Sequence, residues 1–440
     1  MARTLRHAGR SLRHLWLTGL LLPAVAGATD GYFSHGYGMK SIGMGGASIA
    51  RTDDGFGGAN NPAQMVFVGD RLDLGVSLFM PTRGAVRTDA SIPPLNGNVD
   101  SESKEFLIPE FAYNALVRPD LSLGVTVYGN GGMNTDYPQG NFQCPNPQTF
   151  QFFPANMLCG QGRLGVDLLQ LVVAPTVAYK VTEDHAIGLA PLLTYQRFRL
   201  EGAQLFGLLS SDPNSLTNNG YDNSRGIGVR IGYLGRISQF ISVGAQYATK
   251  TRMSKFSKYK GLFADQGEFD LPSNFGVGVM VHPTSAWDVA LDYERILYSG
   301  VSSVGNPSTN QAPLGAAGGP GFGWQDVNVI KVGVQYAASP ALTLRAGYNH
   351  SDNPIQARDV TFNILAPGVV QDHFTLGATH PFGAGSEVTA AFMYAPPKSV
   401  TGSSLFNPLI QSLGGPPNAG GTETIHLSEM SFGLAWGRKF

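Results

Sequence analysis

The feature that most constrains this chain is strict period-two alternation, repeated from about residue 70 to the C-terminus. Trp287, Val289, Leu291 and Tyr293 alternate with Asp288, Ala290, Asp292 and Glu294, and Leu342, Leu344, Ala346 and Tyr348 with Thr343, Arg345, Gly347 and Asn349. Val388, Ala390, Phe392 and Tyr394 alternate with Glu387, Thr389, Ala391 and Met393. In the last segment Met430, Phe432, Leu434, Trp436 and Phe440 share one face. Such a pattern is β-structure with one apolar face. Fourteen strands can be placed, near 71–87, 104–118, 121–131, 165–180, 184–202, 225–237, 239–253, 267–282, 285–299, 324–337, 341–350, 369–381, 386–396 and 424–440. Their connections alternate between tight turns, such as Pro119-Asp120 and Ser339-Pro340, and long segments near 88–103, 132–164, 203–224, 254–266, 300–323, 351–368 and 397–423.

Short turns at one end and long loops at the other, with an even strand number, predict an all-β, antiparallel transmembrane barrel over 71–440 in an outer membrane. A soluble sandwich or propeller would need a second layer over nearly every strand, whereas closure buries the apolar face in lipid and leaves no edge. Aromatic residues at strand ends, Tyr298, Trp324, Tyr348 and Trp436, suit interfacial girdles. Only 14% of residues are charged, against roughly a quarter in soluble domains. The net charge of −1 gives no field for nucleic acid.

Residues 1–28 have a basic stretch, a short apolar core and small residues around Ala26-Gly27-Ala28, the signature of a secretory signal peptide. Export permits disulfides, and Cys144 and Cys159 are the two cysteines; pairing is the economical reading. No histidine cluster joins them, so neither a metal nor any other cofactor is expected. Residues 29–70 do not alternate. They are rich in glycine and too short to fold alone, so they either fold back into the lumen as a plug or trail as a flexible tail; composition leaves both open.

The run Gly38-Met39-Lys40-Ser41-Ile42-Gly43-Met44-Gly45-Gly46-Ala47, followed by Asp53-Asp54 and Asn61-Pro62-Ala63, resembles the hatch of FadL/TodX-type outer-membrane transporters of hydrophobic compounds. Leu121–Asn130, Phe269-Asp270-Leu271-Pro272, Trp324-Gln325-Asp326, Leu344–Tyr348 and the terminal Phe440 resemble later parts of the same family, in order, over residues 30–440. The resemblance implies a monomeric barrel that is a transporter and not an enzyme. Its N-terminal hatch blocks the lumen, and its C-terminal strand is read by the barrel assembly machinery. Substrate, a long-chain fatty acid or a hydrocarbon, would enter an apolar groove between two external loops and pass to a lumenal pocket. It would leave sideways through a kink in the third strand.

Several residues fit those roles. The groove residues would be Phe142, Phe150, Phe152, Phe153, Met157 and Leu158 on one loop and Leu205, Phe206, Leu208 and Leu209 on the other, since exposed apolar loops are costly unless they bind something. A small packed loop core is the other reading. Gly129-Asn130-Gly131-Gly132 would be the kink, because glycine in a strand marks a bulge or bend, though a plain loop start fits equally. Leu189, Leu193, Tyr195 and Arg197 share one face if Pro191 keeps register. Family position turns that face, with Lys331, to the lumen; a rim position for Arg197 is the alternative. Fatty-acid members are expected to carry a second cation where this chain has Gln325, which leans toward an uncharged substrate. Two competing functions remain: a general porin, which needs an open polar lumen, and a barrel-type lipid hydrolase, for which Ser34-His35 and His426 with Ser428 supply no triad geometry.

Overall fold

The structure is a computed structural model that describes residues 30–440 apart from 52, 141, 147, 148 and 150. The expected signal peptide and Phe150 lie outside the described residues. Fourteen long antiparallel strands run in sequence order: β1 (Arg71–Thr88), β2 (Phe106–Arg118), β3 (Leu121–Tyr137), β4 (Leu164–Lys180), β5 (His185–Glu201), β6 (Asp222–Ser238), β7 (Ile241–Ala248), β8 (Asn274–Thr284), β9 (Trp287–Ile296), β10 (Val327–Ser339), β11 (Leu342–Ser351), β12 (Asp372–Phe382), β13 (Ser386–Ser403) and β14 (Thr422–Lys439). Two short segments, Gly97–Asp100 and Arg252–Met253, bring the sheet to sixteen.

The sheet closes on itself because β14 pairs along the whole of β1, from Arg71–Lys439 to Thr88–Thr422. Closure leaves no terminal strand to aggregate and satisfies backbone groups that hydrocarbon cannot. Along each strand the outward residues are large and apolar, such as Leu74 and Val76 on β1, Leu376 on β12 and Leu434 on β14. Inward positions near the turn end are mostly small or polar, with large apolar residues such as Phe79 and Phe198 further along the strands. The turns at one end are tight, and both barrel ends meet there, where Phe440 N–H donates to the Asp70 carbonyl at 3.1 Å. This is a transmembrane β-barrel of the outer-membrane kind.

The strands depart from their expected bounds most in four places, one of them β8, which begins at Asn274 and not near 267. β3 runs on to Tyr137, β13 runs on to Ser403, and β7 stops at Ala248. β3 and β13 continue because their distal halves pair with a neighbour above the apolar zone, β3 with β4 and β13 with β14. Two predicted girdle residues are elsewhere: Tyr298 and Trp324 are buried inside the barrel, in edge-on contact at 5.1 Å between ring centroids. Each sits in a long connection beyond its strand, where alternation no longer assigns a face.

Residues 30–68 are almost entirely buried although they form only single helical turns, such as Met39–Ile42 and Met65–Val68. They lie against the inner wall. The wall accommodates them with glycines, since a Cβ on Gly188, Gly232, Gly244 or Gly347 would collide with Pro62, Asn61, Ile49 or Met44. Asn61 Nδ2 donates to the carbonyls of Ile49 and Tyr233, each at 2.8 Å, and its Oδ1 caps Ala63 N–H at 3.1 Å. Asp292 on β9 accepts from Ser48 and Ile49 N–H at 2.6 and 2.9 Å. At the turn end, Lys40 Nζ meets Glu387 at 2.6 Å, and Arg71 bridges Glu387 to Asp73.

Candidate functional site

The wall is interrupted between β2 and β3. The two strands pair only from Phe111–Val127 down to Arg118–Leu121. Above that, the strand partners of Phe106–Glu110 on β2 are on β1, and those of Tyr128–Tyr137 on β3 are on β4, with no ladder between β2 and β3. The gap is closed at its top, where Glu102 N–H donates to the Asp136 carbonyl at 2.8 Å and Ser101 Oγ accepts from Asp136 N–H at 3.0 Å.

Its cause is local. The register with β4 slips between Gly129 and Gly131, leaving Asn130 as an extra residue. A bulge of this kind bends its strand. Gly131 has φ 156°, a region in which glycine alone is at ease. Beyond the bulge, Asn130 to Thr135 are buried without a break, so this part of β3 has left the lipid-facing surface. The free edge is taken up by the N-terminal segment: Phe33 bridges to Gly131, and Ser34 N–H and Tyr37 O–H each reach the Asn130 carbonyl at 3.1 Å. Asn130 Nδ2 in turn donates to Gln170 at 2.9 Å.

On the lumenal side of this edge stands an aromatic group made by Tyr32, Phe33, Phe269, Tyr298 and Trp324. Tyr298 O–H donates to the Asp30 carbonyl, and Trp324 Nε1 to Asn363 at 2.6 Å. Below it lies a buried polar cluster. Lys331 Nζ meets Glu294 at 2.8 Å and Asp30 at 3.9 Å, and His35 stacks on His373 at 5.8 Å. Burial pushes the Asp30 carboxyl up to about 6 despite Lys331. Burial, then Lys331, pushes His35 down to about 3. Lys331 therefore faces the lumen, but its charge is already matched.

The lumenal face expected on β5 is reversed. Leu189 and Leu193 are 42% and 45% exposed on the outer wall, and Tyr195 and Arg197 follow them on that face. The inward residues are Ala190, Leu192, Thr194, Gln196 and Phe198. Lipid demands the bulkier apolar set, and Pro191 does not break the register across Leu189–Leu193. Arg197 sits at the external rim, 3.5 Å from Asp167 and over the Tyr221 ring at 4.3 Å.

The external loops divide the proposed groove residues. Cys144 and Cys159 are bonded, with Cα atoms 5.6 Å apart, and hold a hairpin of Phe142–Pro145 with Phe152–Ala155. Phe142, Met157, Leu158 and Phe206 are buried in the loop core, so they pack the loops and offer no surface. Phe153 and Leu205 are half-buried against that core. Phe152 at 48%, Leu208 at 62% and Leu209 at 37% are exposed. The two loops touch directly, with Asn156 Nδ2 donating to the Gly202 carbonyl at 2.8 Å and Gln161 N–H to Gln204 at 3.1 Å. No groove of open width separates them there. Beneath them Phe198, Phe206, Phe263 and Phe362 line an apolar cavity of about 30 Å³. Sequence reasoning missed Tyr32 and Trp324 as lumenal residues, since neither lies on an alternating strand.

A family model described as outer membrane protein transport protein (OMPP1/FadL/TodX) matches residues 35–405. Among solved structures, the P. putida toluene transporter TodX is similar with TM-score 0.65 at 18% identity, over 92% of this chain and 99% of that one. The Ralstonia pickettii toluene transporter TbuX gives 0.63 at 17%, over 92% and 99%. A Pseudomonas aeruginosa FadL homologue gives 0.66 at 13%, over 93% and 100%. Among curated proteins none matches the sequence.

Proposed function

We propose, from the premise that this chain belongs to the OMPP1/FadL/TodX family of outer membrane transport proteins, that it takes up uncharged hydrophobic small molecules and releases them sideways between β2 and β3. The family are transport channels and not enzymes, and hydrophobic compounds are their cargo. The finer reading is ours. Exposed Phe152, Leu208 and Leu209 give an oily molecule its first contact outside the cell, residues 30–68 act as a plug that denies ions a path, and the gap above Val127 is the exit into the membrane.

One observation carries the reading: β2 and β3 share no ladder along the stretch of β3 that has turned inward. An apolar solute that reaches this edge meets hydrocarbon outside and the buried polar cluster of Lys331, Glu294 and Asp30 below, and burial of its surface, about 25 cal/mol per Å², draws it outward. An uncharged cargo is favoured because Lys331 is matched by Glu294 and Asp30 and Arg197 stands outside at the rim. An unmatched carboxylate in the lumen would be very costly. The toluene transporters among the structural relatives agree in cargo class.

The test is Gly131→Val with Gly132→Val, which disfavours the φ of 156° at Gly131 and favours a regular ladder. Uptake of labelled toluene by cells should fall about tenfold, while the purified barrel keeps its heat-modifiable mobility. Normal uptake with both valines in place means that cargo leaves elsewhere.

A further inference from the structure

Beside the free edge of β3 is a second small cavity, of about 30 Å³, lined by Gly132 and Met133 on β3, Phe79 and Arg83 on β1, Glu429 on β14, and Trp324. This is room for one water-sized group. Two of its walls are polar side chains that find too few partners. Arg83, 6% exposed, donates one Nη to the Ser103 carbonyl and lies 5.5 Å from the centre of the Phe106 ring, but its Nε–H has no acceptor among the described residues. Glu429, 2% exposed, has no hydrogen-bond donor to either carboxyl oxygen among the described residues; the buried His373 ring lies 3.9 Å away.

Register explains why the two do not satisfy each other. Arg83 is opposite Leu427 and Glu429 is opposite Pro81, so they are diagonal neighbours on the inner face. Their Cβ atoms are then roughly 7 to 8 Å apart, and no ion pair forms between them. Buried polar groups are nearly always hydrogen-bonded, so this pair leaves space for a third group that accepts from a guanidinium and donates to a carboxyl oxygen.

We propose that this cavity is a head-group site for hydrophobic compounds bearing a single hydroxyl, an alkanol or a phenol; the inference rests on the transport reading above and sharpens its cargo class. A hydroxyl accepts and donates at once. A carboxylate accepts from Arg83 but has no proton of its own to offer the Glu429 carboxyl. A bare hydrocarbon supplies neither bond and strands both polar groups. The hydroxyl occupies the small cavity, and the hydrocarbon body extends from it toward the gap between β2 and β3, displacing side chains that close the cavity. A site that bonds a substrate hydroxyl discriminates strongly against the analogue lacking it, because the buried partners are then left unpaired.

The probes are p-cresol and toluene, which differ by one hydroxyl, titrated by calorimetry into the purified full-length protein in detergent. The wild type should bind p-cresol roughly ten- to a hundredfold more tightly than toluene, the range expected of hydrogen bonds to charged partners. Glu429→Leu with Arg83→Met should abolish that preference, weakening p-cresol and no longer penalising toluene. Glu429→Gln, which keeps an acceptor, should retain part of it and guards against a fold defect, checked by heat-modifiable mobility. Equal affinities in the wild type, or a preference untouched by the double change, overturn the head-group site; a water then fills the cavity. If neither probe binds and proteoliposomes take up neither, the transport reading fails instead.

Discussion

Asn61 offers the most direct test that the N-terminal segment seals the barrel. Its side chain is wholly buried and makes three hydrogen bonds: two donated at 2.8 Å to the Ile49 and Tyr233 carbonyls and one accepted at 3.1 Å from Ala63. Only the Tyr233 bond ties the segment to the wall; the others hold the segment's own turn. Each bond contributes about 1 kcal/mol net, and each carbonyl left buried without a partner costs roughly 1 to 3 kcal/mol more. Asn61→Ala should therefore loosen docking by about 2 to 4 kcal/mol, which raises the undocked population by roughly thirty- to a thousandfold. Asn61→Asp separates the contributions, because it keeps the cap on Ala63 and sets an acceptor against two carbonyls. Single-channel recording in planar bilayers reads the result as the frequency of large conductance bursts. Both variants should burst far more often than the wild type, with a burst size equal to the steady conductance of a protein lacking residues 30–60. If both variants stay as quiet as the wild type while the deletion conducts, Asn61 does not hold the plug. If the deletion is quiet too, the segment is no seal.

Other outcomes follow from single contacts. Arg87 and Glu423, both fully buried and 2.5 Å apart, join β1 to β14; Arg87→Met leaves a buried charge unpaired and should cost about 3 to 5 kcal/mol, read as a lower temperature of heat modification. Arg197→Ala should change stability by less than about 1 kcal/mol and leave toluene uptake unaltered, since that pair is partly solvated at the rim; a large fall in uptake would return Arg197 to the transport path. Thiol labelling of the native protein should fail without reductant and reach both Cys144 and Cys159 after it. Asp30 and His35 oppose each other in their pH dependence. Docking gains from Asp30 as pH falls from about 6 toward 3.8, because its docked value lies above the free one, and loses from His35 as pH falls from 6.5 toward about 3. Relative to the wild type, Asp30→Asn should make N-terminal docking less favoured on acidification and His35→Gln more favoured, followed by protease protection of the N-terminal segment; a shift of the same sign in both variants would refute the assignment.

Faces were legible wherever two strands and a lipid boundary dictated them, and illegible elsewhere. The outward set of β12 and β14 follows from Leu376 and Leu434 at once, because one side of those strands is plainly oily. On β5 both faces carry leucines and small residues, so Leu189, Leu193, Tyr195 and Arg197 could be assigned to either side, and family position assigned the wrong one. Phe142 and Phe206 read as surface because loops carry no periodicity, yet they are the core of the loop cluster. Arg83 drew no notice in sequence, since inward arginines on a barrel are ordinary; its missing partner is visible only once β14 is laid beside it.

Alternation, strand number and the order of short and long connections determine a closed barrel with its ends on one side. These are local properties: every other side chain must face lipid, and hydrocarbon tolerates no open edge. The Cys144–Cys159 pairing was equally available, since an exported chain with two cysteines has one way to pair them. Tertiary structure alone decided where the wall opens. Gly129–Gly132 is compatible with a loop, a bend or a bulge, and the outcome depends on which neighbours pair on each side. The pairing of β3 with β4 continues to Tyr137, its pairing with β2 ends at Val127, and the N-terminal segment pairs with the edge left free. Such pairing joins residues nearly a hundred positions apart, and no local preference of the chain encodes it.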